Sequence, residues 1–246
     1  MTIKPVLLLQ SRPEDVVSDN EYDAFCRMAA LESSLVHRMR IERDELFDIN
    51  LDDYSAIIMG GGPANIAYPD DKKSPEQKRF EPWLFAQLQR IVDADKPFLG
   101  VCLGYGAIVK LLGGEVSLDV SEPVEAVKVT IRGNAVDDDL LQGIPREFDA
   151  FVGHKEGVMN IPEPAIELAR SARCSQMLRV GDNVYATQFH PELSADGLAL
   201  RIQAYRHAGY FAPEEADLLI QAARSSTVTW PEKILQNFIA KHVVAE

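Results

Sequence analysis

Cys102 has a glycine two residues away on each side, Gly100 and Gly104. An apolar run at 97–101 precedes the cysteine and a helical pattern follows it, so Cys102 lies where a strand turns into a helix. Such a sharp turn admits only small residues beside its apex and exposes the apex side chain. The spacing therefore predicts a nucleophile elbow that carries a thiol, and the N-terminus of the following helix favours the thiolate. The alternative is a cysteine that only fills a small space in the core.

A cysteine nucleophile needs a base, and the chain has five histidines. They are His37, His154, His190, His207 and His242. His190 ends an apolar strand pattern over 185–190 and is followed by Pro191 and Glu192. The end of a parallel strand would place its imidazole at the same sheet edge as Cys102, with Glu192 near enough to orient the ring. The alternative is a His-Pro-Glu turn with a purely structural role.

Three glycines at 60–62 follow an apolar run at 56–59. A glycine-rich turn after a strand can aim backbone N–H groups into a site, and the N–H groups of Gly62 and Leu103 would then form an oxyanion hole. A phosphate cradle is the competing interpretation, but the chain has neither a GxxxxGKS/T loop nor a GxGxxG turn that leads into a helix. A glycine turn without chemical function is the third interpretation.

The chain has 246 residues, a formal net charge of −13 and 46% hydrophobic residues. This length suits one large domain with a proper core, and the acidity argues against a surface that binds nucleic acid. No apolar run approaches the ~20 residues of a membrane span, and the first apolar run is too short for a signal peptide. We therefore expect a cytoplasmic protein with no membrane partner.

Three scattered cysteines, without a CxxC pair or a zinc-like spacing, predict no disulfide framework, no metal and no cofactor.

Short apolar runs alternate with helical patterns in the first half of the chain. The predicted strands are 5–10, 35–39, 56–59 and 97–101, and the predicted helices are 18–29, 75–93 and 105–112. This alternation predicts a parallel sheet with right-handed crossovers and helices on both faces. The active site of such a sheet lies at the carboxyl ends of its strands, where both the glycine turn and Cys102 fall.

The second half is mostly β up to residue 190 and helical afterwards. Its predicted strands are 124–131, 148–152, 166–171, 174–180 and 184–190, with a hairpin turn at 181–183, and its predicted helices are 197–208, 213–225 and 231–243. The fold class is therefore α/β, with a mostly parallel central sheet, a smaller antiparallel β portion and a helical C-terminal extension. We divide the chain into a catalytic domain at 1–193 and an extension at 194–246 that packs on the same domain.

Two motifs in combination point to a family. The segments 100–104 (GVCLG) and 188–192 (QFHPE), preceded by 61–63 (GGP), resemble those of the class I (triad) glutamine amidotransferases. They are most similar to the glutaminase domain of GMP synthase and its free-standing relatives, and the likeness covers roughly 5–192. The resemblance implies a flavodoxin-like sheet architecture.

The resemblance also implies roles for the motif residues. Cys102 would attack the side-chain amide of glutamine and form a γ-glutamyl thioester. His190 would take the thiol proton and give one to the leaving ammonia, with Glu192 orienting the ring. The N–H groups of Gly62 and Leu103 would hold the oxyanion, and water activated by His190 would release glutamate.

Substrate contacts are implied at further positions, namely Gly61, Tyr105, Gly106, Gln188 and His154. The segment 153–156 (GHKE) resembles a His-acid pair that helps to line the family's glutamine pocket, with Glu156 for the usual Asp. Considered alone, His154 is better interpreted as a structural histidine. The family elbow usually continues to a Gln where this chain has Gly106, and that Gln lines the glutamine site. The difference makes another γ-glutamyl amide or peptide conceivable as the substrate.

The sequence leaves three functions open. The first is a free-standing glutaminase that hands ammonia to a synthase on another chain, because the sequence contains no Ser-Gly-Gly-x-Asp-Ser-type ATP-binding loop. The second is a γ-glutamyl hydrolase or peptidase that uses the same thioester and passes no ammonia on. The third is a regulator or binding module without enzymatic activity, and the intact Cys102, His190 and Glu192 argue against it.

Overall fold

The computed structural model describes residues 3–244. Four strands of the first half lie parallel to one another. They are β1 (Val6–Gln10), β2 (Val36–Arg40), β3 (Ala56–Met59) and β4 (Phe98–Val101). Every residue of β1, β3 and β4 is buried, because helices cover both faces of this part of the sheet.

The helices of the first half pack on opposite faces. They are α1 (Asp15–Met28), α2 (Pro75–Asp93) and α3 (Leu103–Leu111). Successive side chains of β1 point to opposite faces of the sheet and so contact different helices. Val6 and Leu8 pack in one core cluster with Phe25 of α1, whereas Leu7 and Leu9 pack in another with α2 and α3. The predicted bounds of α2 are confirmed: Ser74 caps it by accepting a hydrogen bond from the Gln77 N–H.

Five further strands extend the same sheet. They are β5 (Glu122–Ile131), β6 (Glu147–His154), β7 (Ile166–Arg170), β8 (Ser175–Val180) and β9 (Val184–Thr187). Strand β9 pairs parallel with β4 and antiparallel with β8, so the nine strands are continuous in the order β2-β1-β3-β4-β9-β8-β7-β5-β6. The predicted α/β class is confirmed, and its antiparallel portion belongs to the central sheet itself.

The C-terminal residues form three helices, α4 (Ala195–Ala204), α5 (Ala216–Ser225) and α6 (Pro231–His242). Helices α4 and α5 bury Leu198, Ile202 and Ala216 against Phe151 of β6. Helix α6 instead adds Phe238 to the core cluster that contains Phe25. The division of the chain at residue 193 stays a prediction. Within residues 3–244, none of the helices is both long enough and apolar enough to span a bilayer.

Candidate active site

Cys102 stands between β4 and α3 with φ 53° and ψ −88°. A non-glycine residue in this region is strained by about 1–3 kcal/mol, so the surrounding structure must hold it there. A Cβ atom on Gly100 would lie 2.9 Å from the Gly104 carbonyl carbon, which explains why the strand and the helix need a glycine at this contact. The Cys102 N–H donates to the Thr187 carbonyl at 2.8 Å and fixes the turn to β9. The predicted strand-to-helix turn at Cys102 is confirmed.

His190 lies beyond the end of β9, which stops at Thr187. The prediction that the strand continues to His190 is wrong, because the backbone changes partner: the Gln188 N–H still bonds the β8 carbonyl of Gln176, whereas the His190 N–H donates to Phe151 of β6 at 3.1 Å. This change of hydrogen-bond partner from β8 to β6 places the imidazole over the carboxyl end of the sheet. Its Nδ1 is 2.8 Å from Glu192 Oε1, which leaves Nε2 for the reacting atoms.

Cys102 and His190 meet at Gly61. A Cβ atom on Gly61 would lie 2.7 Å from His190 Cε1 and 3.4 Å from Cys102 Cβ. Both residues also line one cavity together with Gly62. Two side chains far apart in the sequence therefore converge over a glycine turn, where any larger residue would enter the space between them.

Gly62 and Leu103 flank Cys102. Two cavities contact Cys102, and Gly62 lines both of them. Leu103 is the first residue of α3 and lines one of the two. The N–H of a first helical residue has no partner within its own helix, so it is available to an anion. The oxyanion role of these two residues stays a prediction.

A buried charge network surrounds Glu192. Its Oε1 accepts a second hydrogen bond from Arg201 Nη2 at 2.9 Å, and Arg201 Nη2 is 3.7 Å from Glu21 Oε1. Arg12 Nε in turn donates to Glu21 Oε1 at 2.7 Å. Each of these four side chains is at most 6% exposed, so their charges are compensated within the network. Arg12, Glu21 and Arg201 were not predicted from the sequence, although the position of Arg12 shortly after β1 places it at the active edge of the sheet.

The protonation of the pair follows from burial. Desolvation raises the pKa of the Cys102 thiol to about 12, outweighing the opposing charge of Arg12. Desolvation lowers the pKa of His190, with further lowering by Arg201 and Arg12, against the opposing charge of Glu192. This direction opposes the thiolate expected at a helix N-terminus, but the side chain is only partly buried, and the thiolate stays a prediction. The two pKa directions favour a thiol beside a neutral imidazole as the resting state.

The carboxylate beside His190 stays ionised. Burial alone would raise the pKa of Glu192, but the charges of His190 and Arg201 and the hydrogen bond from His190 hold it well below its usual range. An ionised carboxylate at Nδ1 fixes the tautomer of the ring and stabilises the imidazolium when it forms.

A small cavity with several polar lining groups, here called the polar cavity, lies beside Cys102. Gln188, Gly106 and Glu156 line it, and Gln188 Nε2 is 3.7 Å from Cys102 Sγ. The Glu156 carboxylate accepts the backbone N–H groups of residues 66 and 67 at 2.8 and 2.7 Å, and burial raises its pKa. A Cβ atom on Gly106 would lie 3.5 Å from Glu156 Oε1, an ordinary contact, so the missing side chain leaves the carboxylate open to the cavity.

Tyr105 does not reach this site. Its side chain is fully buried in the core cluster that contains Phe80 and Ile108, and it lines neither cavity beside Cys102. The expected contact between Tyr105 and the substrate is therefore wrong. Positions 103 and 106 of α3 line the polar cavity, whereas the side chain at position 105 lies on another face of the helix and packs in the core.

His154 lines the polar cavity, but both of its ring nitrogens are occupied. Nδ1 is 2.7 Å from the Glu156 carbonyl, which can only accept, and Nε2 is 2.9 Å from Glu122 Oε2. Cys174 Sγ lies 3.5 Å from the same carboxylate. The ligand atoms of Glu122, His154 and Cys174 lie within 4.8 Å of one another, a spacing that a metal ion could use. This buried cluster was not predicted from the sequence, because His154 and Cys174 are 32 and 52 residues from Glu122.

The geometry agrees with a comparison against known families. The family model described as "Glutamine amidotransferase class-I" matches residues 17–199, well over half of the chain. The chain belongs to this family. The amidotransferase match includes Cys102, His190 and Glu192, and it ends within α4.

Curated relatives of this amidotransferase are named as one subunit of a glutamine-hydrolysing GMP synthase. The protein from Sulfurisphaera tokodaii is 30% identical over 145 residues, which are 58% of this chain and 70% of the relative. The protein from Methanococcus maripaludis is 36% identical over 105 residues, 42% of this chain and 54% of the relative. The matched region thus spans only about half of the second relative.

Solved structures share the amidotransferase fold. A glutamine amidotransferase from Thermotoga maritima superposes with a TM-score of 0.76 at 21% identity, covering 98% of this chain and 99% of the other. A glutamine amidotransferase from Methylobacillus flagellatus gives a TM-score of 0.72 at 21% identity, covering 100% and 97%. The neighbours cover the C-terminal extension as well as the family match, so the whole chain follows one architecture.

Proposed function

We propose that this protein hydrolyses the side-chain amide of glutamine to glutamate and ammonia through a γ-glutamyl thioester on Cys102. The observation that carries the proposal is the meeting of Cys102, held at positive φ at the start of α3, with a His190 ring fixed by Glu192 at 2.8 Å. A nucleophile, a base and a group that orients the base are the components of thioester catalysis.

The lining of the polar cavity offers polar partners for the amino-acid part of glutamine. Glu156 supplies a carboxylate for the α-ammonium group, and that charge would favour the ionised form of this buried acid. The Gln188 amide lies beside the sulfur. With the amide carbonyl between the N–H groups of Gly62 and Leu103, the negative charge that develops on its oxygen would be stabilised.

The proton movements follow from the resting state. As Cys102 Sγ bonds the amide carbon, His190 Nε2 takes the thiol proton and becomes an imidazolium that Glu192 stabilises. The imidazolium gives this proton to the nitrogen when the C–N bond breaks, and ammonia leaves. A water molecule that His190 deprotonates then attacks the thioester carbonyl, and the products are glutamate and the free thiol.

The acceptor of the ammonia is proposed to be a synthase on another chain. Two curated relatives are each named as one subunit of a glutamine-hydrolysing GMP synthase, and that name implies a further subunit for those proteins. We expect glutaminase activity to rise when the correct synthase is added.

Glutamate and ammonia release from glutamine tests the proposal. Cys102→Ala should lower kcat by at least about 10³-fold, because the covalent route is lost. The matched control is Cys26→Ala, which changes a half-buried free cysteine in α1 and should leave the rate unchanged. The glutamine analogue 6-diazo-5-oxonorleucine should alkylate Cys102 alone with release of N₂, so the added mass is that of the analogue minus N₂. A wild-type protein that neither releases ammonia nor reacts with the analogue would contradict the proposal.

A further inference from the structure

A second cavity meets the polar one at Cys102. It has a volume of about 50 Å³ and shares Gly62, Gly153 and Tyr210 with the polar cavity. Its lining is different in chemistry: beyond the catalytic groups it is formed largely by aliphatic and aromatic side chains. The sulfur therefore lies between a polar compartment and an apolar one.

The base belongs to the apolar side. His190 lines the apolar cavity and does not line the polar one. The proton that the leaving nitrogen needs comes from this imidazole, so the nitrogen must face His190 when the C–N bond breaks. Whatever is attached to that nitrogen then extends into the apolar cavity, while the glutamyl part occupies the polar one.

Ammonia does not need such a space. It is about the size of a water molecule, whose share of liquid volume is about 30 Å³. The apolar cavity has a volume of about 50 Å³ on the scale on which one water molecule needs ~10–15 Å³, so it has room for several such molecules. Ammonia also has no carbon atoms to bury against Leu198, Ile202 or Phe211, so glutamine leaves this lining unused.

The C-terminal extension builds most of the apolar wall and is tied to the catalytic sheet. Leu198 and Ile202 come from α4, and Tyr210 and Phe211 come from the turn that follows it. Lys155, just past β6, donates to the Ala208 carbonyl at 2.6 Å and places its Nζ 4.1 Å from the centroid of the Tyr210 ring. The wall is thus formed before any substrate arrives.

The charged residues in the apolar cavity are already paired. Arg201 binds Glu192 and Arg12 binds Glu21, so neither guanidinium is left as an isolated charge beside the apolar wall. An apolar group entering the cavity therefore does not leave an unpaired ion behind.

We infer that this leaving-group pocket takes the apolar amine portion of a γ-glutamyl amide, which extends the substrate class from glutamine to γ-glutamyl derivatives of small apolar amines. The inference rests on the proposed thioester chemistry. The Cys102 Sγ–C bond forms as the C–N bond breaks, and the amine leaves with the proton from His190. Water then cleaves the thioester to glutamate and the free thiol, so no further reactant is needed.

A substrate series tests the inference directly. The compounds are glutamine, γ-glutamyl-isobutylamide and γ-glutamyl-(2-hydroxyethyl)amide, and the readout is glutamate formation. Each buried CH₂ contributes about fourfold to binding, so kcat/KM for the isobutylamide should exceed that for glutamine and for the hydroxyethylamide by about tenfold or more.

Two opposite changes at one position locate the pocket. Leu198→Phe fills it and should lower the isobutylamide-to-glutamine ratio of kcat/KM by at least about tenfold. Leu198→Ala enlarges it and should shift the preference towards a bulkier cyclohexylmethylamide. The matched control is Leu219→Ala, which changes a half-buried leucine of the same cluster that does not line the pocket and should leave both ratios unchanged. Because the ratios move in opposite directions, partial misfolding cannot produce the pattern.

The outcomes separate the two proposals. Turnover of glutamine without faster turnover of the apolar amide overturns the inference and leaves the glutaminase proposal intact. Turnover of the apolar amide without turnover of glutamine supports the inference and overturns glutamine as the donor. Ratios that do not respond to Leu198 overturn the location of the pocket. No turnover of any γ-glutamyl compound overturns both proposals.

Discussion

One carboxylate oxygen, Glu192 Oε1, lies within hydrogen-bonding distance of both His190 and Arg201. The arrangement has two effects on the imidazole. Glu192 favours the charged ring and fixes its orientation, whereas Arg201 disfavours the charged ring by repulsion. Together with desolvation, which is the largest effect, the balance lowers the pKa of His190 and favours the neutral ring that the proposed proton transfer requires.

The first prediction concerns the acid limb of the pH profile. His190 acts as a base only when it is neutral, and its lowered pKa extends the neutral form to lower pH. The acid limb of kcat/KM for glutamine should therefore have its midpoint below about 6.5, the ordinary value for histidine. Steady-state rates between pH 4 and 8 give the midpoint, and a value at or above 6.5 would contradict the predicted effect of burial.

The second prediction assigns Arg201 a positioning role. Arg201→Gln removes a positive charge that lowers the pKa of His190, so the acid limb should move to higher pH. Loss of the hydrogen bond to Glu192 should also reduce kcat about tenfold, less than the ~10²–10⁴ that general acid–base catalysis supplies. The control is Arg224→Gln, which breaks an exposed ion pair with Asp196. The midpoint does not depend on the fraction of folded enzyme, so an unshifted midpoint would refute the role.

At the scale of the elements, the site depends on where the sheet changes from parallel to antiparallel. Strand β9 lies between β4 and β8 in the sheet. It pairs parallel with β4 and antiparallel with β8. The turn of Cys102 and the segment that leads to His190 therefore leave the same edge of neighbouring strands. The chain then changes its hydrogen-bond partner from β8 to β6, and this change brings the imidazole over Gly61.

Local patterns explain which features could be predicted. The glycines around Cys102 predicted the turn because the steric requirement is contained within five residues, and the helical spacing of apolar residues within 75–93 predicted α2 in the same way. The end of β9 could not be predicted, since the sequence 188–190 keeps its strand-like character while the partner strand changes. The buried network of Arg201 with Glu21 likewise depends on packing between distant helices.

The third prediction tests the contact between β4 and α3. Gly100→Ala would place a Cβ atom 2.9 Å from both the Gly104 carbonyl carbon and the Phe98 ring, so the helix must move. We expect a loss of about 1–3 kcal/mol in the free energy of unfolding, measured by urea denaturation. Gly133→Ala is the control, because a Cβ atom there meets nothing within 4 Å. Equal stability of the two variants would show that the contact tolerates the methyl group.

At the scale of the whole molecule, the C-terminal helices complete both the core and the site. Helix α6 covers the sheet face that α1 begins to cover, and α4 supplies Arg201 and the apolar wall beside Cys102. Stability and catalysis therefore draw on the same part of the chain, although the family match ends at residue 199.

The fourth prediction measures what α6 contributes. Phe238 is fully buried in the core cluster with Phe25, so Phe238→Ala should cost about 3–5 kcal/mol of unfolding free energy. Leu218→Ala on α5 is the control: that leucine is 69% exposed, and its removal should change stability by less than about 0.5 kcal/mol. Denaturant titration of both variants gives the comparison, and a small loss at Phe238 would mean that the core does not depend on α6.

The connection of Cys102 through β9 to His190 has a consequence for biosynthesis. During translation, the segment with Cys102 leaves the ribosome well before β9 and α4, so the thiol emerges before His190. Until β9 inserts beside β4, the carbonyl that receives the Cys102 N–H is also absent, and the strained turn lacks that anchor. Cys102 and His190 can therefore come together over Gly61 only after β9 and the segment that follows it have been translated.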